Sequence, residues 1–245
     1  MRLITFGDSW VKGVGTKYKE GMSREKYESI AWNEDTRCFR NLLAKRLRLD
    51  NLNLSRGGSS NQMQFRLALK TFFGEDKINP ETSDIVLWGI TSVYRTELWH
   101  NQLSSFKSFF LPDDTAVSKI LATQYHNDKE EIKILGHQMT MWNAYFKSIK
   151  VKNYWFNIFN DHSWSVDIDN FLFPNSSLLS EMINDHKDNY SYNRSIWELT
   201  DRKIKVAKEL KLVNPFSGHP TIDGHKMIED LLINEIKKEL DKETK

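Results

Sequence analysis

The chain has 245 residues, of which 39% are hydrophobic, 28% charged and 12% aromatic, a balance that excludes disorder and fits one large α/β domain or two small ones. Its formal net charge is +2, so no global field draws it to nucleic acid or to an anionic membrane. A single cysteine, Cys38, excludes an intramolecular disulfide and a cysteine-built metal site.

In chain order, "RLITF" (residues 2–6) reads as a short buried strand, rich in β-formers and stopped by Gly7. This run is far too short for a signal peptide or a membrane span. That predicts cytoplasmic residence by default and leaves later export open. "TRCFRNLLAKRLRL" has helical spacing at Cys38, Phe39, Leu42, Leu43 and Leu47, with Cys38 read as a small core residue. "DNLNLS" is a second strand, ended by "RGGSSN", and "NQMQFRLALKTFF" is again helical. "SDIVLWG" is a third strand and "VKNYWFNIFND" a fourth. "SIWELTDRKIKVAKELK" and "HPTIDGHKMIEDLLINEIKKEL" are amphipathic helices, and the basic runs they and "LLAKRLRL" carry read as solvated faces.

Strands alternating with helices, the strands being continuously apolar, predict a parallel sheet covered on both faces. Three strands end in small or polar residues, at Asp8-Ser9, Gly57-Gly58-Ser59 and Gly89–Ser92. Ligands of open α/β sheets bind at the carboxyl ends of strands, so these loops are expected on one rim. Two segments break the alternation and read as insertions into a single domain covering residues 1–245. Residues 96–150 are aromatic-rich and expected to be helical, and residues 161–195 are polar with scattered rings.

Ser9 follows the first strand, and a serine nucleophile needs a nearby base. Of seven histidines, His219 stands out, because it precedes Pro220 at the entrance of the last helix, a position that holds an imidazole on a fixed loop. A tetrahedral intermediate needs donors aimed at one point. The backbone N–H of Ser9, that of Gly58 (with Gly57 as the alternative) and the hydroxyl of Thr91 are the candidates. Asn61, Arg95, Trp99 and Trp164 are candidate substrate contacts, with Trp142 and Tyr192 as further rings for a sugar-binding groove. His162, His219 and His225 match no metal-ligand spacing. No GxSxG elbow, Walker loop or GxGxxG occurs, and no cofactor is implied.

"FGDSW", "GGSSN", "GITS" and "HP…GH", each at an element boundary and in this order, resemble the blocks of the SGNH (GDSL-type) hydrolase family from residue 3 to about 235. The resemblance implies a flavodoxin-like three-layer α/β/α fold with a parallel sheet of about five strands. It also implies ester or acyl-ester substrates, Ser9 as nucleophile, Gly58 as oxyanion donor and His219 as base. Two positions depart from the pattern. Thr91 stands where the family has an oxyanion Asn, and Phe216 where it has the Asp that orients the base. Asp161, at the end of the fourth strand, is the candidate carboxylate in its place, with Asp223 second. The expected activity is hydrolysis of a small acyl ester or a carbohydrate O-acetyl group, with no nucleic-acid or membrane partner. The alternative is a catalytically impaired binding protein for carbohydrate or a protein partner, on the same fold. The oligomeric state has no signal in the sequence.

Overall fold

The computed structural model describes residues 1–32, 36–75, 77–100, 105–111, 115–161, 164, 167–184 and 196–243. In chain order the elements are β1 (Arg2–Phe6), α1 (Ser9–Lys12), α2 (Arg24–Ile30), α3 (Phe39–Leu47), β2 (Asp50–Asn53), α4 (Asn61–Phe73) and β3 (Ile85–Ile90). There follow β4 (Arg95–His100), β5 (Ser105–Phe110), α5 (Ala116–Ile120), α6 (Asp128–Ser148), β6 (Lys152–Asn157), α7 (Leu178–Ile183), α8 (Ile196–Glu209) and α9 (Ile222–Glu243).

The main sheet is parallel, in the order β2-β1-β3-β6. Beyond β6 a single parallel bridge joins Trp155 to Phe171, where a further strand would lie. Side chains alternate between two faces, as the strand period of two requires. Leu3, Leu87, Tyr154 and Phe156 join one core with residues of α3, α7, α8 and α9. Ile4, Phe6, Val86, Trp88 and Trp155 join the other with residues of α4 and α6. The result is the expected three-layer α/β/α architecture. The order is that of flavodoxin-like sheets: β2 is added on one side of β1, and β3 and β6 on the other, which makes the β1/β3 boundary the topological switch point, the place where ligands of such sheets bind.

Much of the aromatic content is structural. Phe6, Trp88 and Trp155, on three adjacent strands, stack in a ladder with centroids 4.2 Å and 4.8 Å apart. Trp142, expected as a groove residue, is buried against Trp88 and Phe146 in the same core. Tyr192 lies outside the described residues.

Residues 96–150 differ from the helical expectation in their first part. β4 and β5 pair as an antiparallel hairpin, with Arg95 opposite Phe110 and Thr96 opposite Phe109. The second part is helical as expected: Asn127 caps α6, accepting from the Lys129 and Glu130 amides.

Candidate active site

Ser9 is the first residue of α1, a four-residue helix that follows β1 after two residues. Asp8 caps it, its carboxylate accepting the Trp10 amide at 2.8 Å. Gly13 closes it in the left-handed region at φ 94°. As the first helical residue, Ser9 has an N–H with no intrahelical acceptor.

His219 arrives from the far end of the chain, on the loop before α9. Its Nε2 lies 2.8 Å from Ser9 Oγ. On the other side of the ring, Nδ1 lies 2.6 Å from Ser217 Oγ. The loop is held by Asn214, whose backbone N–H and side-chain amide both donate to the His219 carbonyl at 2.9 Å. Burial pushes the His219 pKa down to about 4; the Asp8 charge opposes that shift and the Arg95 charge adds to it. The imidazole is therefore neutral near pH 7.

The three expected loops meet on one rim. Ser59 Oγ donates to the Gly7 carbonyl at 2.9 Å and Arg56 N–H to the same oxygen at 3.0 Å, which ties the Gly57-Gly58 loop to the end of β1. Gly58 is exposed at φ 71°, and a β-carbon on it would meet nothing within 4 Å. Gly57 is pressed onto Trp32, where a β-carbon would fall 2.2 Å from the ring. Thr91 Oγ1 donates to Asp8 Oδ2 at 3.1 Å. A hydroxyl has one proton, so here it serves the carboxylate rather than an oxyanion.

Asp8 is fully buried, and it also accepts from Arg95 Nη1 at 2.8 Å. Arg95 lines the cleft beside Ser9, its side chain 18% exposed. It is thus engaged by the protein itself, and over Phe159, whose ring centroid is 5.7 Å away. Asn61 grips the backbone of Thr91 from both sides, accepting its N–H at 3.0 Å and donating to its carbonyl at 2.9 Å. Its side-chain amide therefore shapes the third loop instead of facing a substrate.

Asp161 is placed elsewhere than expected. Its carboxylate takes Lys203 Nζ at 2.6 Å and the Ser180 hydroxyl at 2.8 Å. That pins α7 to α8, while the Nδ1 position it was expected to fill belongs to Ser217. Trp164 packs on Phe171, centroids 5.5 Å apart, against the core on the α4/α6 side. The side chain of Trp99 and the whole of His162 lie outside the described residues. His225 is a core histidine stacked on Phe39, and Phe216 packs with Tyr18 and Tyr27.

Sequence reasoning missed Ser217, Asn214, Tyr27 and Trp32. Asn-Pro at 214–215 is a turn-initiation signal and marks the loop, but nothing in the spacing says which hydroxyl would face the imidazole. Trp32 is 54% exposed, with its ring centroid 6.3 Å from that of His219.

Ser9 and His219 open into a cleft of about 310 Å³. Trp10, Phe159, Phe216 and Ile204 supply apolar walls, and Ser92, Thr200, Asp201 and Lys208 supply polar ones. Among the described residues, no cluster of three or more His, Cys, Asp or Glu side chains could hold a metal ion. No described helix is long and apolar enough to cross a membrane. The arrangement can remove a proton from Ser9 and admit a compact substrate to it.

No family model and no curated protein matches the sequence. Among solved structures, the chain is similar to an acetyl xylan esterase from the rumen bacterium Butyrivibrio proteoclasticus, at 10% identity and a TM-score of 0.48, with 98% of this chain covering 64% of that one. It is similar to a carbohydrate esterase whose active site is described as having divergent catalytic and non-catalytic binding functions, at 13% identity and TM-score 0.47, with 96% of this chain covering 68% of that one. It is also similar to the psychrotrophic esterase EstA from Pseudoalteromonas sp., at 11% identity and TM-score 0.42, covering 98% of each chain.

Proposed function

We propose that this chain is a serine esterase. Ser9 attacks an acyl carbonyl while His219 Nε2 takes its proton and then passes it to the leaving alcohol. The developing oxyanion is met by the backbone N–H groups of Ser9 and Gly58. Thr91 serves this site through Asp8, holding the cap of the helix that carries the nucleophile. Water, activated by the same imidazole, then releases the acid and restores Ser9. The observation that carries the reading is the 2.8 Å contact of Ser9 Oγ with a neutral imidazole at the mouth of a cleft on the β1/β3 switch point.

The substrate class that fits is a small acyl ester of a polyol, an acetylated sugar among them. Aromatic walls suit the apolar faces of a sugar ring and the acyl methyl groups. Thr200, Asp201 and Lys208 offer donors and acceptors to hydroxyls.

A second reading draws on specific observations: the Thr91 proton is committed to Asp8, and among the described residues the group on His219 Nδ1 is the Ser217 hydroxyl and not a carboxylate. On that reading the cleft binds a carbohydrate or a protein partner without turnover. Covalent labelling by a fluorophosphonate, run beside a panel of acyl esters and acetylated glycans, separates the two. The esterase reading expects labelling of wild type and none of Ser9→Ala. Equal labelling of the two would sink it.

A further inference from the structure

We infer that Ser217, locked by Asn214, is the positioning residue that sets the tautomer of His219, a neutral hydroxyl standing where Ser-His-Asp triads use a carboxylate. The tautomer is a property of the free protein; only its kinetic consequence rests on the esterase reading.

The protons can be followed from Asn214 outward. Asn214 is fully buried. Its Oδ1 faces two backbone donors, the N–H groups of Phe216 at 3.1 Å and Ser217 at 2.9 Å, which settles the orientation of the amide. Nδ2 then donates to the His219 carbonyl and to the Tyr27 oxygen at 3.1 Å. Ser217 Oγ donates its single proton to Asn214 Oδ1 at 3.1 Å, as a third donor on that oxygen beside the two N–H groups.

Two lone pairs remain on Ser217 Oγ. One meets the Tyr27 hydroxyl at 3.0 Å. Tyr27 already accepts from Asn214, so its own proton is directed at Ser217. Burial raises the Tyr27 pKa above its ordinary value, against the hydrogen bonds of Ser217 and Asn214, and the phenol keeps that proton. The other lone pair meets His219 Nδ1 at 2.6 Å. Nδ1 must then carry the hydrogen of the neutral ring, and Nε2 is left bare toward Ser9. The opposite tautomer would require the Ser217 proton to leave Asn214 Oδ1 and turn to Nδ1.

A hydroxyl differs from a carboxylate in one respect that matters: it orients the ring without a charge to stabilise the imidazolium. Asp8 and Arg95 act on His219 in opposite directions, the first raising and the second lowering its pKa, and they pair with each other at 2.8 Å; Asp201 and Lys208 line the same cleft. The base is thus correctly aimed and weak. Ser217 is exposed, but its hydroxyl meets the buried Tyr27 and Asn214 side chains, so every substitution there is read beside thermal unfolding.

The test is ¹⁵N NMR of the His219 imidazole in the full chain at neutral pH, with thermal unfolding as the control for fold. Wild type is expected to show the Nδ1–H tautomer. Ser217→Ala is expected to shift the population toward Nε2–H and lower kcat/KM by about 10²-fold, and Ser217→Thr to restore both. Ser217→Asp is expected to keep Nδ1–H and move the acid limb of the pH–rate profile upward by about one pH unit or more. A wild-type ring in the Nε2–H form, or a tautomer unchanged in Ser217→Ala, overturns the inference. Failure of the fluorophosphonate to label Ser9 with Nδ1–H retained would overturn the esterase reading alone, and the positioning role would stand.

Discussion

Gly15 lies directly beneath His219. A β-carbon on Gly15 would fall 2.9 Å from the His219 β-carbon and 2.2 Å from the Pro220 carbonyl oxygen. Its φ of 111° lies where L side chains rarely go. The turn after α1 and the loop before α9 can close on each other only because that β-carbon is missing. Gly15→Ala is therefore expected to displace the imidazole from Ser9. A displacement of about 1 Å costs about 10²-fold in rate. Fluorophosphonate labelling rates and kcat/KM, with circular dichroism confirming the fold, check this.

The low pKa of His219 has a sign that can be measured. On the proposed esterase reading His219 works deprotonated, so kcat/KM should hold from neutral pH downward and fall only as pH drops through about 4. Stability follows the same direction. The folded value lies below the ordinary 6.5, so between them the unfolded chain binds the extra proton. The contribution of this group is full above about 6.5 and declines as pH falls toward 4. Urea unfolding of wild type and His219→Gln across that window should show a steeper loss of stability on acidification in wild type than in the variant.

Thr91 separates an oxyanion donor from a structural hydroxyl. Removing an oxyanion donor typically costs about 10²–10³ in rate. Because the Thr91 proton goes to Asp8, Thr91→Val is expected to lower kcat/KM by less than about tenfold, while lowering the unfolding midpoint as a buried acceptor loses its donor. Steady-state kinetics set beside urea unfolding decide it.

Asp161 gives the converse test. Lys203 Nζ is 2.6 Å from its carboxylate, and the two side chains are 4% and 10% exposed. Breaking a buried pair from one side costs about 3–5 kcal/mol. Asp161→Asn is expected to lower the free energy of unfolding by most of that amount. It should leave the rate of Ser9 labelling unchanged well below the transition, which a carboxylate acting on His219 could not do.

Much of this was legible in the chain. β1 and β3 announce themselves because both their faces are buried, so nearly every residue is apolar. Ser9 and His219 were legible because each sits at the boundary between a buried element and a loop. What could not be read is set by side chains that meet across loops. Asp161 and Ser217 are both polar residues near the rim, and only the path of the backbone decides that Lys203 claims the first and His219 meets the second. The β4/β5 hairpin was hidden for another reason: "RTELWH" and "SFKSFF" are short mixed runs whose periodicity does not separate strand from helix.

The contact between Ser9 and His219 spans 210 residues of chain. Neither β1 nor α9 can bring it about alone; the sheet must be ordered and the last helix docked before the pair exists. Reactivity at Ser9 is thus a probe of global topology. Its loss in denaturant should coincide with the cooperative unfolding that separates β1 from α9, not with local fraying.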